Sequence, residues 1–583
     1  MNAMQQLLTE HMAIWTAADT EKKSGRGRAS GNAGSVYGIK KLRELILELA
    51  VRGKLVPQNV NDEPASELLK RMQVEKSKLV AEGKIKKEKP LAAIGDDEKP
   101  FELPHGWEWA RLGCFVLSIT SGGTPSKSNS HFWNGNIPWA SVKDLNVEKY
   151  LETTQDFITK EGLVAGSKLA NKGDVIICTR MGLGKIAIAA IDVAINQDLK
   201  ALKVTALLNV DYFINFYSTL KIVGSGMTVA GIRQDELLDY LVPTPPLAEQ
   251  HRIVAKVDEL MALCDQLEAQ HSNAAEAHEK LVSHLLGTLS QSQSADDFSA
   301  NWQRIAAHFD TLFTTEASID ALKQTLLQLA VMGKLVPQEP SDEPASELLK
   351  RIQAEKAKLI AEGKLKKEKP LEPITEEETP YETPTGWCWV RLNELLTKIG
   401  AGSTPLGGKQ VYVNVGIPFL RSQNVWDDGL RLDDVAFITS ETHNKMSGTY
   451  VKSGDLLFNI TGASIGRCAI VPEDFVTGNV SQHVTIIRLT SNEILRFIHL
   501  VLISQHVQQT VMDVQVGVSR EGLSIGKLGQ FIIPIPPLAE QHRIVTKVDA
   551  FMSLCDQLKS RIHQANKQQQ LIADALVVQA VAA

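Results

Sequence analysis

Two stretches of the chain place apolar or small residues at alternating steps of four and three. The first runs Ile253, Val257, Leu260, Cys264, Leu267, His271, Ala274, His278, Leu281 and Leu285. The second runs Ile544, Val548, Phe551, Cys555, Leu558, Ile562, Ala565, Gln569, Ile572 and Leu576. This rhythm is a heptad seam, so each stretch predicts a long helix and the pair can zip together. At ~1.5 Å per residue, ~40 residues make a rod of about 60 Å. His271 and His278 read as polar residues that set register in the seam rather than as metal ligands.

Shorter helices show the same spacing at Ile39, Leu42, Ile46 and Leu49, and again at Ile319, Leu322, Leu326 and Leu329. Gly53 with Pro57, and Gly333 with Pro337, stop them. A second helix follows each, from about Pro64 to Glu82 and from Pro344 to Glu362, with Gly83 or Gly363 beyond its end. Runs such as Val175-Ile176-Ile177-Cys178-Thr179 and Val484-Thr485-Ile486-Ile487-Arg488-Leu489 read as strands, with helices near 207–222 and 492–512. The mixture predicts an α+β fold.

The chain is also two half-proteins in tandem. Leu49–Leu91 recurs at Leu329–Leu371, and Pro245–Val254 (PPLAEQHRIV) recurs unchanged at Pro536–Val545. Between these blocks, 107–243 and 387–534 match only in frame. Both open with Gly-Trp-x-Trp (Trp107, Trp109; Trp387, Trp389) and carry a Thr-Pro loop (Thr124-Pro125; Thr404-Pro405). Both then carry Ile-Pro before an aromatic and Gly-Asp before an apolar run, and end with a Gln in a short polar step (Gln197; Gln482). One fold with different surface residues suggests two readers of different targets. Core packing is the simpler account of the tryptophans, because alternation in a strand puts both on one face.

At 583 residues several domains are expected. No apolar run is long enough to span a bilayer, and the start lacks the features of a secretory signal, so a cytoplasmic protein without a membrane partner is expected. The cysteines Cys114, Cys178, Cys264, Cys388, Cys468 and Cys555 stand far apart, as reduced thiols do, without the pairing of a zinc site. Net charge is −6, yet 70–89 and 350–369 each hold eight Lys/Arg against three Glu. Such a basic helix end is a solvated face before it is a phosphate contact.

No catalytic motif is present. Gly182-Leu183-Gly184-Lys185 fails the phosphate-loop spacing and reads as a β-turn. The divergent segments instead offer forked polar side chains on glycine-rich loops, suited to base edges and phosphates. Candidates in the first are Ser121, Thr124, Ser126, Lys127, Lys143, Arg180, Lys185, Gln197 and Arg233. Those in the second are Ser403, Thr404, Lys409, Arg421, Gln423, Asn424, Thr461, Arg467, Gln482, His483 and Arg520. Any one alone is explained as an exposed turn residue, so the set carries the argument. A two-lobed coiled-coil adaptor with protein-binding lobes accounts for the repeats equally well, but leaves these residues without a task.

With PPLAEQHRIVxKVD at 245–258 and 536–549, the Gly-Trp-x-Trp openings and the Gly-Lys-Leu-Val-Pro-Gln blocks at 53–58 and 333–338, the chain resembles the specificity subunit of Type I restriction–modification systems, most closely the type IB subgroup. The resemblance implies two tandem globular target recognition domains joined by long helices that form an antiparallel coiled coil. It divides the chain into an extension and linker (1–38), a helical repeat block (39–106), the first recognition domain (107–243), a long helix (244–286) and a linker (287–318). The second half then supplies a repeat block (319–386), a recognition domain (387–534) and a long helix (535–583). It further implies a non-catalytic subunit that reads the 5′ and 3′ parts of a split site on double-stranded DNA. Two modification (methyltransferase) subunits and two restriction subunits would be its partners. S-adenosylmethionine, ATP and Mg are expected on those partners, with no cofactor and no metal on this chain.

Overall fold

The strand that opens the first globular region, Glu108–Arg111, pairs antiparallel with the strand that closes it, Leu241–Thr244, with Trp109 opposite Pro243. Cys388–Arg391 and Ile532–Ile535 repeat this ribbon, with Trp389 opposite Pro534. A proline has no N–H for a ladder, and a two-stranded ribbon tolerates it because both strands are edges. Immediately after each closing strand comes a Pro-Pro pair and then a long helix, Leu247–Ser290 or Leu538–Ala582. The computed structural model describes residues 11–17, 36–87, 90–147, 149–224, 231–292, 294–367, 371–515 and 522–582. The chain divides into two units, residues 1–274 with 565–583, and residues 275–564.

In the first unit a five-stranded sheet has the order Val116–Ser121, Leu199–Val204, Val175–Cys178, Ile186–Ala189, Tyr150–Leu151. A four-stranded sheet runs Asp156–Ile158, Trp133–Ala140, Val193–Ile195, Lys168–Ala170. Val175–Cys178 is buried throughout, because both faces of its sheet are covered. Val175 and Ile177 pack in one core with Phe213 and Tyr217 of the helix Val210–Thr219. Ile176 and Cys178 face a second core with Ala140, Val193 and Ile195 of the other sheet.

The second unit follows the same plan. One sheet runs Leu396–Ala401, Val484–Leu489, Leu456–Asn459, Cys468–Ile470, and a five-stranded one is centred on Ile417–Leu420. Leu456 and Phe458 join the core of the helix Leu495–Ile503, while Leu457 joins Leu420 and Val480 on the opposite face. Helices and sheets are thus segregated in each unit, as the α+β reading expects.

The two repeated blocks of sequence are repeated because they pack on each other. Gln58 donates to Glu249 (3.2 Å) and Arg252 to Asp62 (2.6 Å). In the second unit Gln338 donates to Glu540 (3.1 Å) and Arg543 to Asp342 (2.6 Å). The Trp387 indole N–H also donates to Glu540 at 3.0 Å. Gly53, at φ +67, has no room for a Cβ against Pro104 (2.4 Å), and Gly333 repeats this against Pro384 (2.5 Å).

The helices Tyr37–Val51 and Glu316–Val331 form as expected, and Ile39, Leu42, Ile46 and Leu49 share one core with Ile253, Val257, Leu260 and Cys264. That core also takes Ala573, and the equivalent core of the second unit takes Val282, Leu286 and Leu289 beside Ile544, Val548 and Cys555. The expected seam therefore needs two corrections. A third, short helix in each unit packs against it. Its far end is also displaced by one residue: Leu281 (50% exposed) and Ile572 (46%) point outward, while Val282 and Ala573 are buried. A helix with about 3.6 residues per turn returns to the same face after about 29 residues, not 28, so a strict heptad count drifts off the stripe.

The segments read as linkers are also partly structured. The stretch 287–318 holds the end of the first long helix and the helices Ala295–Ala306 and Phe309–Leu312. Phe298, Ile305 and Leu312 of this stretch are buried, an amphipathic spacing masked by its Ser, Gln and Asp content. In the N-terminal extension Met12–Ala17 is helical, and Trp15 is fully buried against the helix Tyr37–Val51. Its backbone oxygen lies 2.4 Å from where a Cβ on Gly38 would sit.

Candidate nucleic-acid interface

A common backbone frame places part of the candidates of each unit on corresponding loops. Gly122 N–H donates to Leu199 O (3.3 Å) and Gly123 N–H to Ile195 O (2.9 Å). In the second unit Gly402 donates to Val484 O (2.9 Å) and Ser403 to Val480 O (3.1 Å). The Thr-Pro loop is thereby laid against the polar step between two strands. A Cβ at Gly122 would meet Asn196 O at 2.0 Å, and one at Gly402 would meet Val480 O at 1.9 Å, so only glycine fits.

This register makes the two halves comparable residue by residue. Thr124 donates to Gln197 in the first, and Thr404 to Gln482 in the second. The residue after each glutamine faces the residue two past a buried strand position. That pair is Asp198 with Arg180 (4.0 Å) in the first unit and His483 with Thr461 (2.6 Å) in the second. Thr179 N–H bonds Asp198 O (2.8 Å) where Ile460 N–H bonds His483 O (3.0 Å). The frame is shared and the side chains on it differ in charge, which is the geometry of two readers.

A second shared turn follows the Ile-Pro strand. Ser141 N–H donates to Asp144 (2.8 Å), and Arg421 N–H donates to Asn424 (2.9 Å). Lys143 and Gln423 occupy the same place in these turns. Lys143 pairs with Asp156 (2.9 Å), which holds its ammonium above the ordinary lysine range, while Gln423 donates to Asp434 (3.1 Å). Lys185 and Arg467 also correspond, since their carbonyls accept from Cys178 N–H (3.0 Å) and Asn459 N–H (2.9 Å). Lys185 reaches Val142 O at 3.3 Å. The expected turn is present, with Lys185 N–H closing on Gly182 O (3.1 Å) and Gly184 at φ +90.

Other candidates stand at the margin. Ser121 accepts from Lys200 (2.8 Å), Ser126 bonds Ser128 (2.8 Å), Lys127 is exposed, and Arg233 is tied to Glu236 (2.9 Å) in a helix cap. Arg421 donates to Asp434 O (3.2 Å). Asn424 corrects the sequence reading: it is 2% exposed and donates to Arg431 O (2.8 Å), so it locks the turn and offers a base no surface. The Lys409 side chain and all of Arg520 lie outside the described residues.

Sequence reasoning missed Lys200, Asp198 and Trp426. Among the described residues Lys200 contacts only neutral acceptors, Ser121 and Gln234 (3.3 Å), and burial depresses its pKa. Among the described residues an anion arriving there would find a cation with no carboxylate to displace. Alternation gives no sign of it, since Lys200 shares a strand face with the fully buried Leu202. Among the described residues no group of His, Cys, Asp and Glu is arranged to hold a metal ion, and no helix is long and apolar enough to cross a membrane.

The family model described as "Type I restriction modification DNA specificity domain" matches residues 104–277 and 384–567. The chain is 38% identical to the Type I restriction enzyme EcoAI specificity subunit of Escherichia coli, over 99% of this chain and 100% of that one. It is likewise 38% identical to the EcoEI specificity subunit of Escherichia coli, over 98% and 99% of the two chains. A solved structure concerned with assembly and conformational transition of the type I R-M system aligns at 18% identity and a TM-score of 0.46, over 83% of this chain and 99% of that one.

Proposed function

The chain belongs to the Type I restriction–modification DNA specificity family, and from that premise we propose how its two halves divide the work. Its function is DNA sequence recognition as a specificity subunit. The first recognition region, 107–243, reads the 5′ part of a split, asymmetric site, and the second, 387–534, reads the 3′ part. The observation that carries this is the shared frame with exchanged side chains, Arg180 and Asp198 against Thr461 and His483. A duplicated structural protein has no need to keep this frame while exchanging the charge of the side chains on it.

The long helices, Leu247–Ser290 and Leu538–Ala582, pair antiparallel in this reading and set the unspecified spacer between the half-sites. Readers about one helical turn apart, ~34 Å, meet the major groove from the same side. The repeat blocks at 39–106 and 319–386 give two equivalent docking faces for two modification subunits, which bring S-adenosylmethionine and methylate adenine. Two restriction subunits add ATP- and Mg-dependent cleavage. This chain supplies recognition and no catalytic group, and it works in the cytoplasm.

Genome-wide adenine methylation tests the reading, in cells expressing this chain with its cognate modification subunit against cells with the modification subunit alone. One split motif found only with both is the expected result. No new motif with an active methylase partner overturns the reading in favour of a protein-binding adaptor.

A further inference from the structure

The second recognition region carries a device that the first lacks. A hairpin of Val425–Trp426 and Gly429–Leu430 holds Trp426 beside the loop that follows Asn459. The Trp426 indole N–H donates to Gln423 O at 2.9 Å, which fixes the ring, and the residue is 39% exposed. The Arg467 guanidinium lies over the ring at 3.7 Å from its centroid, and that of Arg431 at 5.9 Å. Arg431 is committed to Asp428 at 2.5 Å. The Arg467 guanidinium, by contrast, makes no hydrogen bond and no ion pair among the described residues; the ring lies against it and the Asp427 carboxylate acts on it through space.

A guanidinium stacked through its face keeps its N–H donors in the plane, free and directed away from the ring. That rigid fork matches the O6 and N7 acceptors of guanine in the major groove. The first region builds the same turn differently. Asn146 donates to Lys143 O (3.1 Å) where Trp426 donates to Gln423 O, and Lys185 stands where Arg467 stands, with its ammonium turned onto Val142 O (3.3 Å). The same backbone therefore offers a preorganised planar fork in one half and a main-chain-bound point charge in the other.

We propose that Arg467, held flat by Trp426, reads a guanine in the half-site taken by the second region, with Trp426 as its positioning residue. The inference rests on the proposed reading that the second region recognises one half-site. The test maps methylated motifs for the complete complex with its modification subunits, for wild type, R467K, R467A, W426F and W426L. R467K keeps the charge and loses the fork, so it relaxes discrimination at one base pair of the second half-site on the order of tenfold. W426L does the same and W426F, which keeps an aromatic face, retains the wild-type motif. The first half-site, unchanged in every variant, reports that the subunit is folded and assembled. Should R467A abolish assembly, R467K carries the test.

An unaltered motif in R467K overturns the proposal. So does uniform weakening across the second half-site with no position relaxed, which marks Arg467 as a phosphate contact. Equal effects of W426L and W426F overturn the positioning role and leave Trp426 as packing. Failure of the wild-type complex to give any split motif is a different result, since it removes the half-site reading itself.

Discussion

Thr404 Oγ1 donates to Gln482 Oε1 at 2.9 Å, and Thr124 with Gln197 repeats the contact in the other half of the chain. Each pair fastens a Thr-Pro loop to the polar step between two strands. Both loops are exposed, so the bond orders a surface rather than a core. Replacing Gln482 by Ala is expected to cost less than about 1 kcal/mol of stability. It should alter recognition of the second half-site alone, and Gln197→Ala of the first alone. Methylation motifs read for each variant complex check this, and a change in both halves from one substitution would refute independent readers.

The glycine beneath each loop is a stricter requirement. A Cβ at Gly402 falls 1.9 Å from the Val480 carbonyl oxygen, which is backbone and cannot swing aside. Gly402→Ala should destabilise the protein by about 2 kcal/mol or more. Gly400→Ala, two residues earlier with nothing within 4 Å, should stay within about 0.5 kcal/mol. Thermal unfolding of the two variants side by side gives the comparison.

Glu249 and Glu540 are buried carboxylates, and burial raises their pKa despite a hydrogen bond from Gln58 to the first and from Gln338 and Trp387 to the second. A carboxyl whose folded pKa lies above its unfolded value binds more protons in the folded state. Its contribution is therefore complete below the unfolded value and is lost as pH rises through the folded one. The double substitution E249Q/E540Q keeps the shape and cannot ionise, at the cost of one accepting oxygen in each side chain. Denaturant unfolding across that window should show a shallower fall in stability with rising pH for the variant than for wild type.

Lys200 has no carboxylate partner among the described residues and sits partly buried at the edge of the first rim, with its pKa depressed by burial. A phosphate is the ligand that suits it. Lys200→Met should weaken DNA binding by the assembled complex about equally for all sequences, and reduce the slope of log affinity against log salt by about one. A loss confined to one sequence would instead make Lys200 a base reader.

Much of this was legible in the chain. The duplication, the paired recognition segments, the long helices and the short helices were legible from repeat and period, because those signals are local. Of the residues singled out as polar side chains on loops, Thr124 meets Gln197 and Thr404 meets Gln482, and Lys185 and Arg467 take equivalent places in the two halves. Asn424 shows the limit, since an amide that fills its own turn and one that faces solvent have the same sequence signature.

The sequence by itself determined the family, the two-copy plan and the helical elements, for these depend on neighbours three, four or 280 residues away in a repeating text. Only the tertiary structure decided which repeated residues clamp each other, as Arg252 does Asp62 across 190 positions. Only the fold, too, laid Arg467 on Trp426 and moved the buried stripe from Leu281 to Val282. The clamps and the stacked arginine depend on distances closed by the whole chain, which no local pattern of apolar and polar residues encodes; the stripe follows the 3.6-residue turn in place of the 3.5-residue seam.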